Sequence, residues 1–111
     1  MKLVLASQSS ARRALLTAAG VAHEAISPAV DEDAAKDSLR ARGVDARGLA
    51  DALAELKAMR LSLRRPADLV LGCYQTLSCD EGRMLDKPVT REEAEAQLRD
   101  LRGRTHRLIS A

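Results

Sequence analysis

Apolar residues follow two different patterns along this chain. Short continuous runs occupy residues 3–6 and 69–72, which predicts buried strands, the second of them shielded on both faces. A helical stripe runs through residues 46–63, where apolar side chains recur at helical spacing. Its members are Leu49, Ala50, Leu53, Leu56 and Leu61.

Capping residues and turn signals divide the rest of the chain into elements. The predicted order is strand, helix, strand, two helices, strand, hairpin, helix and strand, in a single domain over residues 1–111. This order predicts an α/β fold with a mixed, twisted sheet flanked by helices. The remaining predicted strands span 23–27, 73–78 (continuing the run at 69–72), 83–85 and 104–110. The predicted helices span 12–19, 34–42, 46–63 and 91–102. Their predicted N-caps are Ser9 or Ser10, Asp33, Asp45 and Thr90.

The first strand turns sharply into the first helix through Ser7 and Ser9. Free backbone N–H groups and the positive end of the helix dipole meet at such a turn and favour bound anions. Two hydroxyls, together with the guanidinium groups of Arg12 and Arg13, make phosphate the natural ligand of this stretch. The alternative is an ordinary strand–turn–helix whose serines cap the helix and whose arginines are solvated.

Two further features admit both a structural and a functional interpretation. The consecutive carboxylates Asp31, Glu32 and Asp33 either favour a helix N-terminus through its dipole or form part of a metal site. Lys57 lies at the edge of the apolar stripe. It either extends its ammonium group to water or directs it into a pocket that holds an anion.

Composition limits the partners that this chain can bind. Among 111 residues, 18 basic and 16 acidic side chains give a net charge of +2, and Tyr74 is the single aromatic residue. Binding to a nucleic-acid polymer is not indicated, because no basic patch is interleaved with aromatic residues. The N-terminal apolar run is too short for a signal peptide, and no stretch is long enough to span a membrane. We therefore expect a soluble cytoplasmic protein whose ligand is a small anion.

Five short motifs, in order along the whole chain, resemble those of a known family. The chain resembles the Maf family of nucleoside triphosphate pyrophosphatases, also called septum-formation proteins. Each motif alone is weak, but their shared order makes the resemblance specific. The motifs are Leu5-Ala6-Ser7-Gln8-Ser9 with Arg12-Arg13, Val30-Asp31-Glu32, Leu53-Ala54-Glu55-Leu56-Lys57-Ala58, Gly72-Cys73-Tyr74-Gln75, and Asp86-Lys87-Pro88 followed by Gly103-Arg104-Thr105-His106.

The resemblance implies a fold like that of the inosine triphosphate pyrophosphatases. It also implies a divalent metal, Mg²⁺ or Mn²⁺, and hydrolysis of a nucleoside triphosphate to the monophosphate and pyrophosphate. The implied roles are phosphate binding by Ser7, Ser9 and Arg12 with help from Arg13, charge balance by Lys57 and Lys87, and metal binding by Glu32.

The fourth motif departs from the family at the position of Tyr74. The family has an Asp there, which is the expected general base or metal ligand. A phenol with a pKa of about 10 is neutral at neutral pH and is a poor ligand for Mg²⁺. Catalysis is therefore expected to be impaired, although Tyr74 can stack on a nucleobase and preserve binding. The next residue, Gln75, resembles family members that prefer 7-methyl-GTP over dTTP or UTP.

The chain also stops where the family continues. Its last predicted strand runs to the C-terminus without a polar cap, so we expect residues 1–111 to be the N-terminal portion of a longer Maf-like domain whose C-terminal part is missing. The resemblance allows a homodimer. Two alternatives to an enzyme stay open. One is a catalytically silent nucleotide-binding or regulatory protein linked to cell division, and the other is a fragment without a function of its own.

Overall fold

Two three-stranded sheets and four helices form the protein in a computed structural model that describes residues 1–111. A 3₁₀ turn at Asp80–Gly82 links two of the strands. The α/β fold class, with sheets flanked by helices, is confirmed. In chain order the elements are β1 (Leu3–Ala6), α1 (Ser10–Ala18), β2 (Glu24–Ile26), α2 (Glu32–Ala41), α3 (Ala46–Ser62), β3 (Leu69–Leu71), β4 (Gln75–Ser78), β5 (Met84–Leu85), α4 (Arg91–Leu101) and β6 (Arg107–Ser110).

The strands are divided between a parallel and an antiparallel sheet instead of forming one mixed sheet. The first sheet has the order β2-β1-β3 with parallel neighbours, and the second has the order β5-β4-β6 with antiparallel neighbours. Leu5 of β1 pairs with Leu71 of β3, so both strands end at the same edge of the first sheet. The turns that follow β1 and β3 therefore leave the sheet side by side.

Helix α3 connects the two sheets. It contacts β1 and β3 of the first sheet and β4 and β6 of the second. Leu49 and Leu53 of the predicted apolar stripe are fully buried. Asp45 caps the helix as predicted, since its carboxylate accepts a hydrogen bond from the N–H of Gly48. The hydroxyl of Thr76 donates to the carbonyl oxygen of Ala46 at 2.9 Å, which ties β4 to the start of α3.

The predicted strand over residues 69–78 is wrong in two respects. It consists of two strands in different sheets, β3 and β4, separated by a turn at residues 72–74. In addition, β3 is not buried on both faces, because Leu69 is 59% exposed and Leu71 is 37% exposed. The apolar run indicated a strand, but it could not indicate that this strand lies at the edge of its sheet.

Asp31 caps α2, in place of the predicted Asp33. Its carboxylate accepts a hydrogen bond from the N–H of Ala34 at 3.0 Å, and the helix consequently begins at Glu32. Glu32 therefore lies in the first turn of α2. Lys36 and Arg40 follow it at intervals of four, which places all three residues on one face of the helix.

The molecule is flat, and its apolar core is small. The principal extents are 46 × 34 × 22 Å and the radius of gyration is 15.5 Å, whereas a compact domain of this length has about 13 Å. Apolar side chains such as Leu15 of α1, Leu98 of α4 and Leu108 of β6 consequently stay in contact with solvent. No helix combines the length and the apolar character that crossing a membrane requires.

Gly72 allows the turn after β3 to touch the backbone of α3. A Cβ atom at this position would lie 2.2 Å from the carbonyl oxygen of Ala54 and 2.8 Å from the backbone nitrogen of Ala58. These distances are shorter than non-bonded atoms tolerate, and the opposing atoms belong to a helix backbone. Any side chain at position 72 must therefore push the turn away from α3.

We expect Gly72→Ala to lower the free energy of unfolding by about 3 kcal/mol, because the added methyl group overlaps backbone atoms. The matched control is Gly20→Ala. Gly20 has a φ of +73° and open space around it, so alanine there costs only about 1 kcal/mol of backbone strain. Urea unfolding followed by circular dichroism measures both variants, and equal losses would contradict the close contact at Gly72.

Candidate functional site

Lys57 projects from α3 toward the turn that follows β3. Its side chain is only 4% exposed, and its Nζ atom lies 3.0 Å from Oε1 of Glu32. The same ammonium group donates a hydrogen bond of 3.2 Å to the carbonyl oxygen of Cys73. It also lies 5.9 Å from the ring centroid of Tyr74, which permits a cation–π interaction. Lys57 thus directs its charge into a cluster of partners and not into bulk water.

Three different elements bring these partners together. Glu32 comes from the first turn of α2, and Lys57 comes from the middle of α3. Tyr74 precedes β4, where its N–H donates to the carbonyl of Ala111 at 3.0 Å and its carbonyl accepts from the N–H of Ala111 at 2.9 Å. Residues of the second, third and fourth sequence motifs therefore meet around one buried ammonium group.

Tyr74 carries a neutral phenol at this site. Burial raises the pKa of Tyr74 above its ordinary value. The nearby positive charges of Lys36 and Arg40 act against this rise in pKa, while the carboxylates of Glu32 and Asp86 add to it. A protonated phenol can donate a hydrogen bond, but it cannot take a proton from water at neutral pH.

A second group of charges, which we call the α2 cluster, consists of Lys36, Arg40 and Asp86. Nζ of Lys36 and Nη2 of Arg40 each lie 3.0 Å from Oδ1 of Asp86, and Nη1 of Arg40 lies 3.4 Å from Oδ2. Hydrogen bonds from Arg40 and Lys36 lower the pKa of Asp86 below its ordinary value. Burial by itself lowers the pKa of Lys36, but the hydrogen bond and charge of Asp86 outweigh it, so this pKa is raised.

The sequence interpretation did not include Lys36 or Arg40 in the site. Their spacing of four residues from Glu32 was the available signal, since it places them on the same face of a helix. The contact with Asp86 carries no local signal, because Asp86 lies 46 and 50 residues away from them.

The serine turn satisfies its own hydrogen bonds. Ser7 is buried, and its hydroxyl oxygen accepts from the N–H of Ser9 at 3.0 Å. The hydroxyl oxygen of Ser9 accepts from the N–H of Arg12 at 3.3 Å and caps α1. A serine hydroxyl that accepts one bond can still donate its own hydrogen. The capping interpretation and the phosphate-binding interpretation are therefore compatible.

The other predicted site residues form no hydrogen bond or ion pair with Lys57 in this structure. Arg13 lines a shallow groove between α1 and β2 together with His23. Gln75 donates its amide to the hydroxyl of Ser110 at 2.8 Å, and strand alternation places it on the face of β4 opposite the buried Thr76. Arg12 and Lys87 form no ion pair, and Lys87 is exposed to solvent.

The carboxylates at the site do not form a resident metal centre. No group of three or more His, Cys, Asp or Glu side chains is arranged to hold a metal ion. Glu32 is 42% exposed beside Lys57, so one carboxylate is accessible. Mg²⁺ is often held by one or two carboxylates while substrate phosphates and water complete its ligands. Glu32 therefore fits the role of a single protein ligand to such a cation, and the protein alone does not supply the other ligands.

Comparison with known proteins identifies clear relatives of this chain. A family model described as "Maf-like protein" matches residues 2–111. A nucleoside triphosphate pyrophosphatase of Caulobacter vibrioides is 56% identical over 98% of this chain and 54% of its own length. Proteins of the same name from Sphingopyxis alaskensis and Granulibacter bethesdensis are 52% and 51% identical over 100% of this chain and 56% of their own lengths. The chain thus spans about half the length of the curated relatives it matches.

We expect Asp86→Asn to make stability less dependent on pH in the acid range. Because the folded-state pKa of Asp86 is lowered, its hydrogen bonds stabilise the fold at pH values above the ordinary pKa of an aspartate, about 3.9. This contribution is lost as the pH falls through the lowered pKa. At neutral pH the variant should be less stable by about 1 kcal/mol or less, because Asp86 is half exposed. Urea unfolding should show this difference in the free energy of unfolding shrinking as the pH falls below the ordinary pKa of an aspartate, and a difference independent of pH would contradict the assignment.

Proposed function

This chain belongs to the family of Maf-like proteins, and on that premise we propose that it acts on nucleoside triphosphates, which it hydrolyses to the monophosphate and pyrophosphate. The observation that carries the proposal is the meeting of Glu32, Lys57 and Tyr74 around one buried ammonium group. Phosphate groups suit a site with a desolvated cation near the carboxyl ends of parallel strands.

The serine turn is proposed to hold phosphate oxygens. In the reaction, water attacks the α-phosphorus and pyrophosphate leaves, so negative charge accumulates on the departing oxygens. Ser7 and Ser9 donate their hydroxyl hydrogens to phosphate oxygens, and Arg12 adds a guanidinium group. Arg13 helps to shape the pocket. Support comes from the buried position of Ser7 and from the parallel pairing that sets this turn beside the one after β3.

Lys57 and Lys87 are proposed to balance the charge of the phosphates as compact cations. Glu32 is the proposed ligand of Mg²⁺ or Mn²⁺, and its partial exposure supports this role. When bound, such a cation neutralises phosphate charge and fixes the orientation of the phosphate groups.

Tyr74 is proposed to impair catalysis while it preserves nucleotide binding. Its raised pKa keeps the phenol protonated, so Tyr74 cannot act as the base that activates water. Loss of a general base lowers the rate about 10²–10⁴-fold. The aromatic ring next to Lys57 offers a surface on which a nucleobase can stack.

The proposed substrates are modified or non-standard nucleoside triphosphates in the cytoplasm, with 7-methyl-GTP preferred over dTTP and UTP. Gln75 follows Tyr74 directly, and its amide can pair with the edge of a base. This role requires the amide to exchange its hydrogen bond with Ser110 for one with the base.

The second candidate function is a catalytically silent nucleotide-binding protein that regulates cell division. The neutral phenol of Tyr74 favours this candidate, because it removes the water-activating carboxylate but leaves Lys57 in place. Both candidates bind a triphosphate, and the test that separates them is whether the bound triphosphate is hydrolysed.

We expect Tyr74→Asp to raise the rate of pyrophosphate release at least about 100-fold, because it supplies the missing carboxylate. The assay uses 7-methyl-GTP, GTP, dTTP and UTP with Mg²⁺ or Mn²⁺. Tyr74→Phe is the control, since it removes the hydroxyl without adding a base. If Tyr74→Asp releases no pyrophosphate from any triphosphate, the enzyme hypothesis fails. Calorimetric binding of a triphosphate without turnover would then favour the silent binder.

We expect Glu32→Gln to abolish most of the effect of Mg²⁺ on triphosphate binding, because an amide is a weaker ligand than a carboxylate. The measurement is calorimetric titration with a triphosphate, with and without Mg²⁺. Asp37→Asn is the control, because Asp37 is an exposed carboxylate on the same helix. An undiminished effect of Mg²⁺ in Glu32→Gln would show that Glu32 is not the metal ligand.

A further inference from the structure

The α2 cluster presents two cations to a single carboxylate at the surface. The guanidinium group of Arg40 contacts both oxygens of Asp86, and the ammonium group of Lys36 contacts one of them. A guanidinium fork and an ammonium group that converge on adjacent oxygens also match the geometry of a phosphate group. The cluster is thus chemically able to hold a phosphate in the place of Asp86.

Arg40 has a donor that Asp86 does not satisfy. Its Nε atom is buried and has no hydrogen-bond partner, although both Nη atoms are bonded to the carboxylate. A buried donor without a partner destabilises a protein, so its presence calls for an explanation. A phosphate has more acceptor oxygens than a carboxylate, so it can bond to more of the guanidinium group.

The cluster adjoins the site around Lys57. Lys36 lies one helical turn from Glu32, or about 6 Å along α2, and Glu32 is paired with Lys57. Asp86 directly precedes Lys87 of the fifth motif. A chain of phosphate groups that begins at Lys57 can therefore reach Lys36 and Arg40.

We propose that Lys36 and Arg40 form the subsite for the outer two phosphates of the triphosphate, the pair that leaves as pyrophosphate. In the absence of ligand, the carboxylate of Asp86 occupies this subsite, and phosphate oxygens displace it on binding. The nucleotide part of this inference rests on the proposed function, whereas the affinity of the two cations for a diphosphate rests on the geometry alone.

Competition between Asp86 and phosphate predicts the opposite change in ligand affinity from a purely structural role of Asp86. If Asp86 only held α2 in place, its removal would weaken ligand binding. If Asp86 competes with phosphate, its removal frees two preorganised cations and strengthens binding. The gain in affinity should appear with ligands that carry the outer two phosphates, and it should be absent with a nucleoside monophosphate.

The experiment is calorimetric titration of the whole chain with inorganic pyrophosphate, GTP and GMP. We expect Asp86→Asn to lower the dissociation constants for pyrophosphate and GTP by about tenfold. Lys36→Gln and Arg40→Gln should each raise them by about tenfold or more. The dissociation constant for GMP should stay unchanged in all three variants.

Asp80→Asn is the matched control. Asp80 also pairs with an arginine, Arg104, at 3.0 Å, and its side chain is 50% exposed, against 56% for Asp86. The control makes the same change of charge at a different place. An equal gain of affinity in Asp80→Asn would overturn the proposal, because it would show that the gain comes from the change in net charge and not from the position of Asp86. Weaker or unchanged binding in Asp86→Asn would also overturn it.

The two proposals fail in distinguishable ways. If pyrophosphate binds through Lys36 and Arg40 but GTP does not bind, the subsite stands and the nucleotide function fails. If GTP binds and releases pyrophosphate without dependence on Lys36 or Arg40, the function stands and the subsite fails. Circular dichroism verifies that each variant folds. If the Lys36→Gln and Arg40→Gln variants do not fold, the direction in which Asp86→Asn changes the dissociation constant for pyrophosphate still tests the proposal.

Discussion

The contact between Gly72 and the backbone of α3 is the constraint on which the rest of this structure depends. Because position 72 has no Cβ atom, the turn between the two sheets can lie directly against the helix. This contact brings the carbonyl of Cys73 within reach of Lys57. It also sets the direction in which Tyr74 enters the strand pairing with Ala111. One steric requirement thus positions both the helix and the turn that form the site.

The buried ammonium group of Lys57 is central to the proposal that this site favours nucleotide binding over catalysis. Burying a charge is unfavourable unless it is paired, and Lys57 is paired with one carboxylate and one carbonyl. An aspartate at position 74 would add a second negative charge beside it. Under the proposed function, the neutral Tyr74 leaves the site more positive, which would favour phosphate groups, but it offers no carboxylate to activate water.

Local features of the fold could be predicted from the sequence, whereas the arrangement of strands could not. The caps at Ser9, Asp45 and Thr90 form as predicted, because a cap depends only on residues within one turn of it. The prediction of one strand over residues 69–78 is wrong, because the division of this run into β3 and β4 depends on how the turn packs against α3. A run of apolar residues contains no information about a distant backbone.

The sequence by itself determined the α/β class, the caps of most helices, the five motifs and the chemistry of a phenol at position 74. These properties depend on neighbours along the chain or on the residue type alone. Only the tertiary structure decided that Glu32 pairs with Lys57, that β3 lies at a sheet edge, and that Asp86 joins Lys36 and Arg40. Such contacts link residues that lie tens of positions apart. They form only where the packing of helices against sheets brings those residues together.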